Sequence, residues 1–377
     1  MGTEEDVKQT TVHNAKFPDP VQNIATLNNN VTEWLLGTVK IPDDGQGTPQ
    51  PDTYSIYARF LRCLLAPNYT VFSNTAAQNQ WIKDHGQDPS SHYVVALESP
   101  HNAIHLSIGG FYQEGEYNAD PIPGANGDMG DNETAGFDPI FFFHHCFIDY
   151  TFHVWQKLWG HTKRGSLSII KDYPGTILKE GQPPNFDIGY KITLDTTPLV
   201  PFEQPGQPRT FYTSNDATDL NELGIAYGPG SLDHLLPRPG VARKSPYELI
   251  IPKFPTLVAG SNPNEPNPFR LTKRVHNISR SDYEGSFVVR LYAQGHDGKE
   301  VEVGREPILS RWSVHKCRNC QNNLDVDLYV PIHQKTLQHF EGGEIKWRVA
   351  IQARDKLHEF SPVLRGGEQD GPQIHDL

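Results

Sequence analysis

Cysteine is scarce, with four in 377 residues. That is too few for a disulfide framework in a chain of this length, so a hydrophobic core has to hold the fold. Uninterrupted apolar runs are missing too: no window approaches the roughly 18 residues that a spanning helix needs, and no membrane partner is expected. Positive charge is outnumbered, with 33 Lys and Arg against 45 Asp and Glu and a net charge of −12. That balance argues against nucleic acid or an anionic membrane as the main partner. The first residues, MGTEEDVKQT, lack the basic and apolar regions of a secretory signal, and Asp6 stands where a myristoylation pattern needs Ser or Thr. A cytoplasmic location is the expectation that follows.

Glycine and proline are plentiful, at 32 and 31, so loops should be long and numerous. Helical periodicity marks SIYARFLRCLL from Ser55, NTAAQNQWIKD behind an Asn74 cap, and a segment from near Ser99 that stops at Gly109-Gly110. A fourth and longer helix is predicted in FDPIFFFHHCFIDYTFHVWQ, with Asp138 as cap, Pro139 in the first turn and Gly160 as stop. The segment EGEYNADPIPGANGDMGDNETAG between the last two reads as loop, and DATDLNELGIAYG as one further short helix. From about Phe269 the pattern becomes alternation typical of short strands, as in GSFVVRLYAQG and IKWRVAIQAR. The expected organisation is a mainly helical core over 1–235, a linker over 236–264, a C-terminal antiparallel β-sandwich over 265–362 and a frayed tail over 363–377.

Two histidine elements carry the chemistry. In ESPHNAIHLSIGG, His101 and His105 are four apart, so both imidazoles share one helix face within reach of one ion. His144 and His145 are adjacent, about 100° apart around the fourth helix. His144 shares its face with Ile140, Ile148 and Phe152 and reads as a packed position. His145 shares a more polar stripe with Phe141, Asp149 and His153, and is the better ligand of the two. Three neutral imidazoles suit copper, zinc or iron and do not suit magnesium or calcium. The residues alone leave two readings open: a three-histidine metal site, or satisfied core histidines. Cys63 and Cys146 lie in apolar helices and are expected to be buried.

SPHNAIHLSIGG followed by GDMGDNETAGFDPIFFFHHCFIDYTFHVWQ resembles the second copper-binding half of the tyrosinase, catechol oxidase and mollusc-type haemocyanin family. The resemblance implies a helical copper-binding core, built as part of a four-helix bundle. It also implies His101, His105 and His145 as the copper ligands, since the second histidine of the pair is the ligand in that family. LNELGIAYG resembles the tyrosine-containing motif that closes the family's core, and the strand-rich segment resembles the C-terminal domain of fungal members, including CRNC at Cys317 to Cys320. By the same resemblance Glu98 and Asn102 hold a water that could deprotonate a bound phenol. Asp149 becomes a candidate for orienting a ligand from outside the coordination shell. Cys317 and Cys320 become a candidate for copper uptake, since Cu(I) prefers thiolate. For Glu98 the plain alternative is an acidic residue favoured by the helix dipole.

Two departures bear on function. Tyr150 stands where the family usually has Arg after the motif's aspartate, so an anchoring ion pair should be missing. Nothing upstream matches the family's first copper site; the histidines there are His13, His85 and His92. The expectation is therefore a tyrosinase-like copper oxidoreductase that turns phenols or catechols into o-quinones with O2, its first copper half absent from this chain or supplied by a partner. The alternatives are a non-catalytic copper or O2-binding protein and a three-histidine zinc hydrolase. The C-terminal domain is expected to cover the site until the linker RPGVARKSPYE is cut or displaced.

Overall fold

The computed structural model describes residues 31–32, 34–36, 55–85, 93–109, 128–177 and 191–237, most of 240–261, and the strands with their turns between 269 and 376. Helix α1 (Ile56–Cys63) starts where the Ser55 hydroxyl accepts the Ala58 amide at 3.0 Å. Its apolar face, with Ile56, Phe60 and Leu61, is buried in the helical core. Asn68 caps α2 (Tyr69–Ser73), and the Asn74 side chain accepts the Ala77 amide at 2.8 Å to start α3 (Thr75–His85). The histidine helices follow as α4 (Glu98–Gly109) and α5 (Ile140–Trp159).

The ends of α5 follow from its sequence. The Asp138 carboxylate accepts the Ile140 amide at 3.0 Å, and Gly160 closes the helix at φ 82°, a conformation that costs glycine nothing. Its second half is core: Trp155 is fully enclosed, and the indole N–H groups of Trp155 and Trp159 donate to the carbonyls of Ala66 and Leu64, each at 3.0 Å. Its first two turns are different. Phe142 and Phe143 are 61% and 72% exposed, so the apolar run there was misleading as a sign of burial. Cys146 lies on the exposed side as well, against the expectation, whereas Cys63 is buried.

Beyond α5 the chain differs from the sequence reading in three places. DATDLNELGIAYG forms turns rather than a helix. The stretch read as linker contains α6 (Pro246–Ile250), started by a reciprocal capping box between Ser245 and Glu248. Ile250 and Val258 there are fully buried in the helical core, so this part is packed rather than free. The expected frayed tail ends in a strand.

The strands are β1 (Phe269–Ser279), β2 (Phe287–Gln294), β3 (Glu300–Ile308), β4 (Asp325–His333), β5 (Lys346–Ala353), β6 (Leu357–Phe360) and β7 (Gln373–Asp376). They form two antiparallel sheets, in the orders β4-β1-β7 and β3-β2-β5-β6. The tail strand β7 pairs with β1 from Lys273↔Asp376 to His276↔Gln373, and the Lys273 ammonium meets the Asp376 carboxylate at 2.5 Å. Both sheets contribute to one apolar cluster, with Val275 and Leu328 from one and Phe287, Val289, Leu291 and Ile351 from the other. The two-residue period of β2 also explains how the sheets meet the helices: Phe287, Val289 and Leu291 point into this cluster, whereas Val288 belongs to the helical core. Val71 and Ile82 from the helices pack with Tyr329 of β4, and Asn79 donates to the Asp327 carbonyl at 2.8 Å. Among the described residues no helix is long and apolar enough to cross a membrane.

Candidate metal centre

Helices α4 and α5 bring four imidazoles together. The rings of His101 and His105 lie one turn apart with centroids 4.6 Å from each other. Those of His144 and His145 are each within 5.4 Å of both. Three of the four have the Nδ1 side held by an oxygen: His101 by Asn102 Oδ1 at 2.9 Å, His105 by the Met129 carbonyl at 2.7 Å and His145 by the Phe141 carbonyl at 2.8 Å. An oxygen acceptor at Nδ1 selects the tautomer with its proton there, and so leaves the Nε2 lone pair for another use. The Nε2 atoms of His101 and His145 are 3.2 Å apart. Two nitrogens bound tetrahedrally to one ion at roughly 2.0 Å would be separated by about 3.3 Å, so this pair already has the spacing of a coordination edge.

His144 is brought in too, although its helix face marked it as a packed position. Its ring stacks on His101 at 5.0 Å, it is 6% exposed, and its Nε2 is buried without a hydrogen-bond partner. One donor nitrogen from each of His101, His105 and His144 can be chosen so that all lie within 4.8 Å of one another. Burial favours the neutral ring at His101, His105 and His144. It holds His101 below the ordinary imidazole range, brings His105 down to about 4, and brings His144 down to about 2, where the neighbouring rings add to the effect. Neutral, unprotonated nitrogens without a carboxylate among them are the donor set of copper or zinc, and the residues fit such an ion.

The other predicted residues are dispersed around this centre. Asn102 is the partner of His101. The Glu98 carboxylate accepts the amide and the hydroxyl of Thr75 at 2.7 and 2.9 Å, and thereby also caps α3. Asp149 accepts the hydroxyl of Tyr227, from the LNELGIAYG segment, and so meets that tyrosine at its carboxylate. Tyr150 does more than leave an anchor missing. Its hydroxyl donates to Asp233 at 2.7 Å and accepts the Leu232 amide at 3.3 Å, tying α5 to the turn that follows that segment without an ion pair. His153 lies against Tyr227 with ring centroids 5.2 Å apart. Cys317 and Cys320, with His13 and His92, fall outside the described residues.

Sequence reasoning missed the Met129 carbonyl, because a backbone oxygen leaves no mark in residue type. A signal did exist. Gly109 of α4 lies so close against Gly130 that any side chain would collide with the backbone there, and that contact seats the turn Asp128–Gly130 on the helix. The Phe141 carbonyl was readable in principle, since it lies four residues before His145 on one helix.

Comparison with known proteins agrees with this geometry. The tyrosinase family profile, described as the common central domain of tyrosinase, matches residues 4–158. A tyrosinase of Hahella sp. is 40% identical over 342 residues, covering 88% of this chain and 56% of the relative. A tyrosinase of Aspergillus oryzae is 36% identical over 325 residues, covering 82% of this chain and 54% of the relative. The chain thus spans about half the length of these relatives, and its likeness is not confined to fungal sequences. The solved tyrosinase from Burkholderia thailandensis is 40% identical and superposes with a TM-score of 0.66, over 94% of this chain and 61% of that one. From its paired histidine helices to its C-terminal antiparallel sheets, the chain belongs to the tyrosinase family of copper-binding, type-3 proteins.

Proposed function

We propose that the chain binds one copper ion through His101, His105 and His145 and takes part in the oxidation of phenols or catechols to o-quinones with O2. The observation that carries this reading is the common arrangement of the three rings. Each has its Nδ1 side held by an oxygen, and the Nε2 atoms of His101 and His145 are a coordination edge apart. Copper bound there would exchange single electrons with a catechol and with O2. The protein's own contribution is to hold the rings fixed and to keep those of His101 and His105 neutral. Asn102, the Met129 carbonyl and the Phe141 carbonyl orient them, and burial of His101 and His105 keeps protons off them near neutral pH. Glu98, three residues before His101 and four before Asn102, is the residue proposed to help accept the phenol proton. Forming a quinone removes two electrons, and among the described residues one histidine group of this kind is found. The active form is accordingly proposed to draw a second donor set from a partner or a further segment.

A second ligand set is favoured by a specific observation: His144 in place of His145 gives the compact group with donors within 4.8 Å. Copper titration of single variants separates the two. His105→Ala and His145→Ala should each lose most bound copper, with His144→Ala retaining it and mainly lowering thermal stability. Copper lost from His144→Ala and retained by His145→Ala would reverse the assignment. Absence of copper from the unsubstituted protein would end the proposal, and copper binding without catechol oxidation after the second set is supplied would favour a binding protein.

A further inference from the structure

A buried polar cluster joins the sheets to the histidine helix α4. Arg59 of α1 is 2% exposed, and its guanidinium donates to Glu306 Oε2 of β3 at 2.6 Å. It also donates to the Ser99 hydroxyl and to the Arg305 carbonyl. The Ser99 hydroxyl in turn donates to Glu306 Oε1 at 2.8 Å. Both carboxylate oxygens of Glu306 are thus used, one on α1 and one on the first turn of α4.

Ser99 is two residues before His101 and shares its rigid helix with His105. We infer that Glu306 is a positioning residue for the metal centre, fixing the first turn of α4 through Ser99 and Arg59 so that the two imidazoles meet α5 in register. This rests on the copper-binding reading above. Burying a charged pair is a poor way to add stability, because desolvation offsets most of the attraction and an apolar replacement often does as well. What the pair adds is direction: four hydrogen bonds among three elements allow one placement of the turn. A metal centre needs that, since ligands displaced by more than about 0.5 Å no longer close on one ion. At its other end α4 is seated by Gly109 against Gly130. The helix is therefore clamped on both sides of its histidines, once by the loop before α5 and once by the sheets.

The experiment uses the full chain in four forms besides the unsubstituted protein. Glu306→Gln keeps an acceptor for Ser99 but removes the charge. The double variant Arg59→Met with Glu306→Leu replaces the pair by apolar groups, Ser99→Ala removes one link, and Val289→Ala weakens the sheet core away from α4. Copper affinity and the Cu(II) EPR spectrum at saturation are read beside thermal unfolding of the metal-free protein. The expected result is a roughly 10–100-fold loss of copper affinity in the double variant, the range seen when groups supporting a ligand are removed. Its spectrum should be altered even where its thermal stability is restored. Glu306→Gln and Ser99→Ala should fall between it and the unsubstituted protein, and Val289→Ala should lose stability but keep affinity and spectrum. A double variant that binds copper like the unsubstituted protein would overturn the inference. So would affinity that simply follows thermal stability across all forms, Val289→Ala included. Failure of the unsubstituted protein to bind copper would remove the metal reading and this inference together, whereas normal binding indifferent to Glu306 would remove this inference alone.

Discussion

Histidine protonation sets the behaviour of the centre at the scale of single residues. His101, His105 and His144 all have pKa values depressed by burial, to about 4 for His105 and about 2 for His144. In the unfolded chain the same groups titrate near 6.5. Below that pH the unfolded state binds protons that the folded state refuses, so metal-free stability should fall as pH drops through 6.5. The fall should continue toward 4 for His105 and further for His144. The slope is about 1.4 kcal/mol per pH unit for each proton taken up on unfolding. Urea midpoints of the metal-free protein between pH 7.5 and 4.5 check this, with His144→Leu giving a shallower dependence. A midpoint flat over that range would mean that the rings are hydrated rather than buried.

At the scale of elements, the centre depends on how closely α4 and the turn Asp128–Gly130 approach. A methyl group at Gly109 would collide with the Gly130 backbone. Gly109→Ala should therefore push the turn outward, take the Met129 carbonyl away from His105 Nδ1, and free that ring to rotate or change tautomer. Overpacking of this kind typically costs about 1–3 kcal/mol. Here a drop in thermal stability should come with weaker copper binding. A calorimetric titration with copper, run beside thermal unfolding, tests the two effects together. Stability lost with unchanged copper affinity would show that the Met129 carbonyl does not govern the His105 ring. Helix α5 is also held by the chain that follows it, through Tyr150 on Asp233 and Tyr227 on Asp149.

Over the whole molecule, the question is whether the sheets are a removable cover or part of the body. Lys244 and its described neighbours Gly240 and Ala242 are exposed, so a protease can cut there. The chain on the far side of such a cut is not free. Ile250, Val258 and Val288 are buried in the helical core, and Arg59 and Glu306 meet at 2.6 Å. After cleavage near Lys244 the two pieces should co-elute on size exclusion in native buffer and separate in urea. Separation without denaturant would favour the covering role expected from the sequence.

Much of what is local follows from residue order alone. Ser55, Asn74 and Asp138 start helices, and Gly160 ends one, because capping is a matter of adjacent backbone and side-chain groups. The i, i+4 spacing of His101 and His105 put them on one face, and two-residue alternation marked the strands. Tertiary structure decided what depends on contacts between segments distant in the chain. Apolar residues at Phe142 and Phe143 looked like core but lie exposed, since burial depends on what packs against a helix and not on its own composition. His144 was drawn toward the other rings by the crossing of two helices, and Asp149 was paired with Tyr227 by the return of a loop. The tail became a strand because β1 offered it an edge. The oxygens that orient His105 and clamp Ser99 come from Met129 and Glu306, at sequence separations of 24 and 207 residues, over which residue type carries no information about proximity.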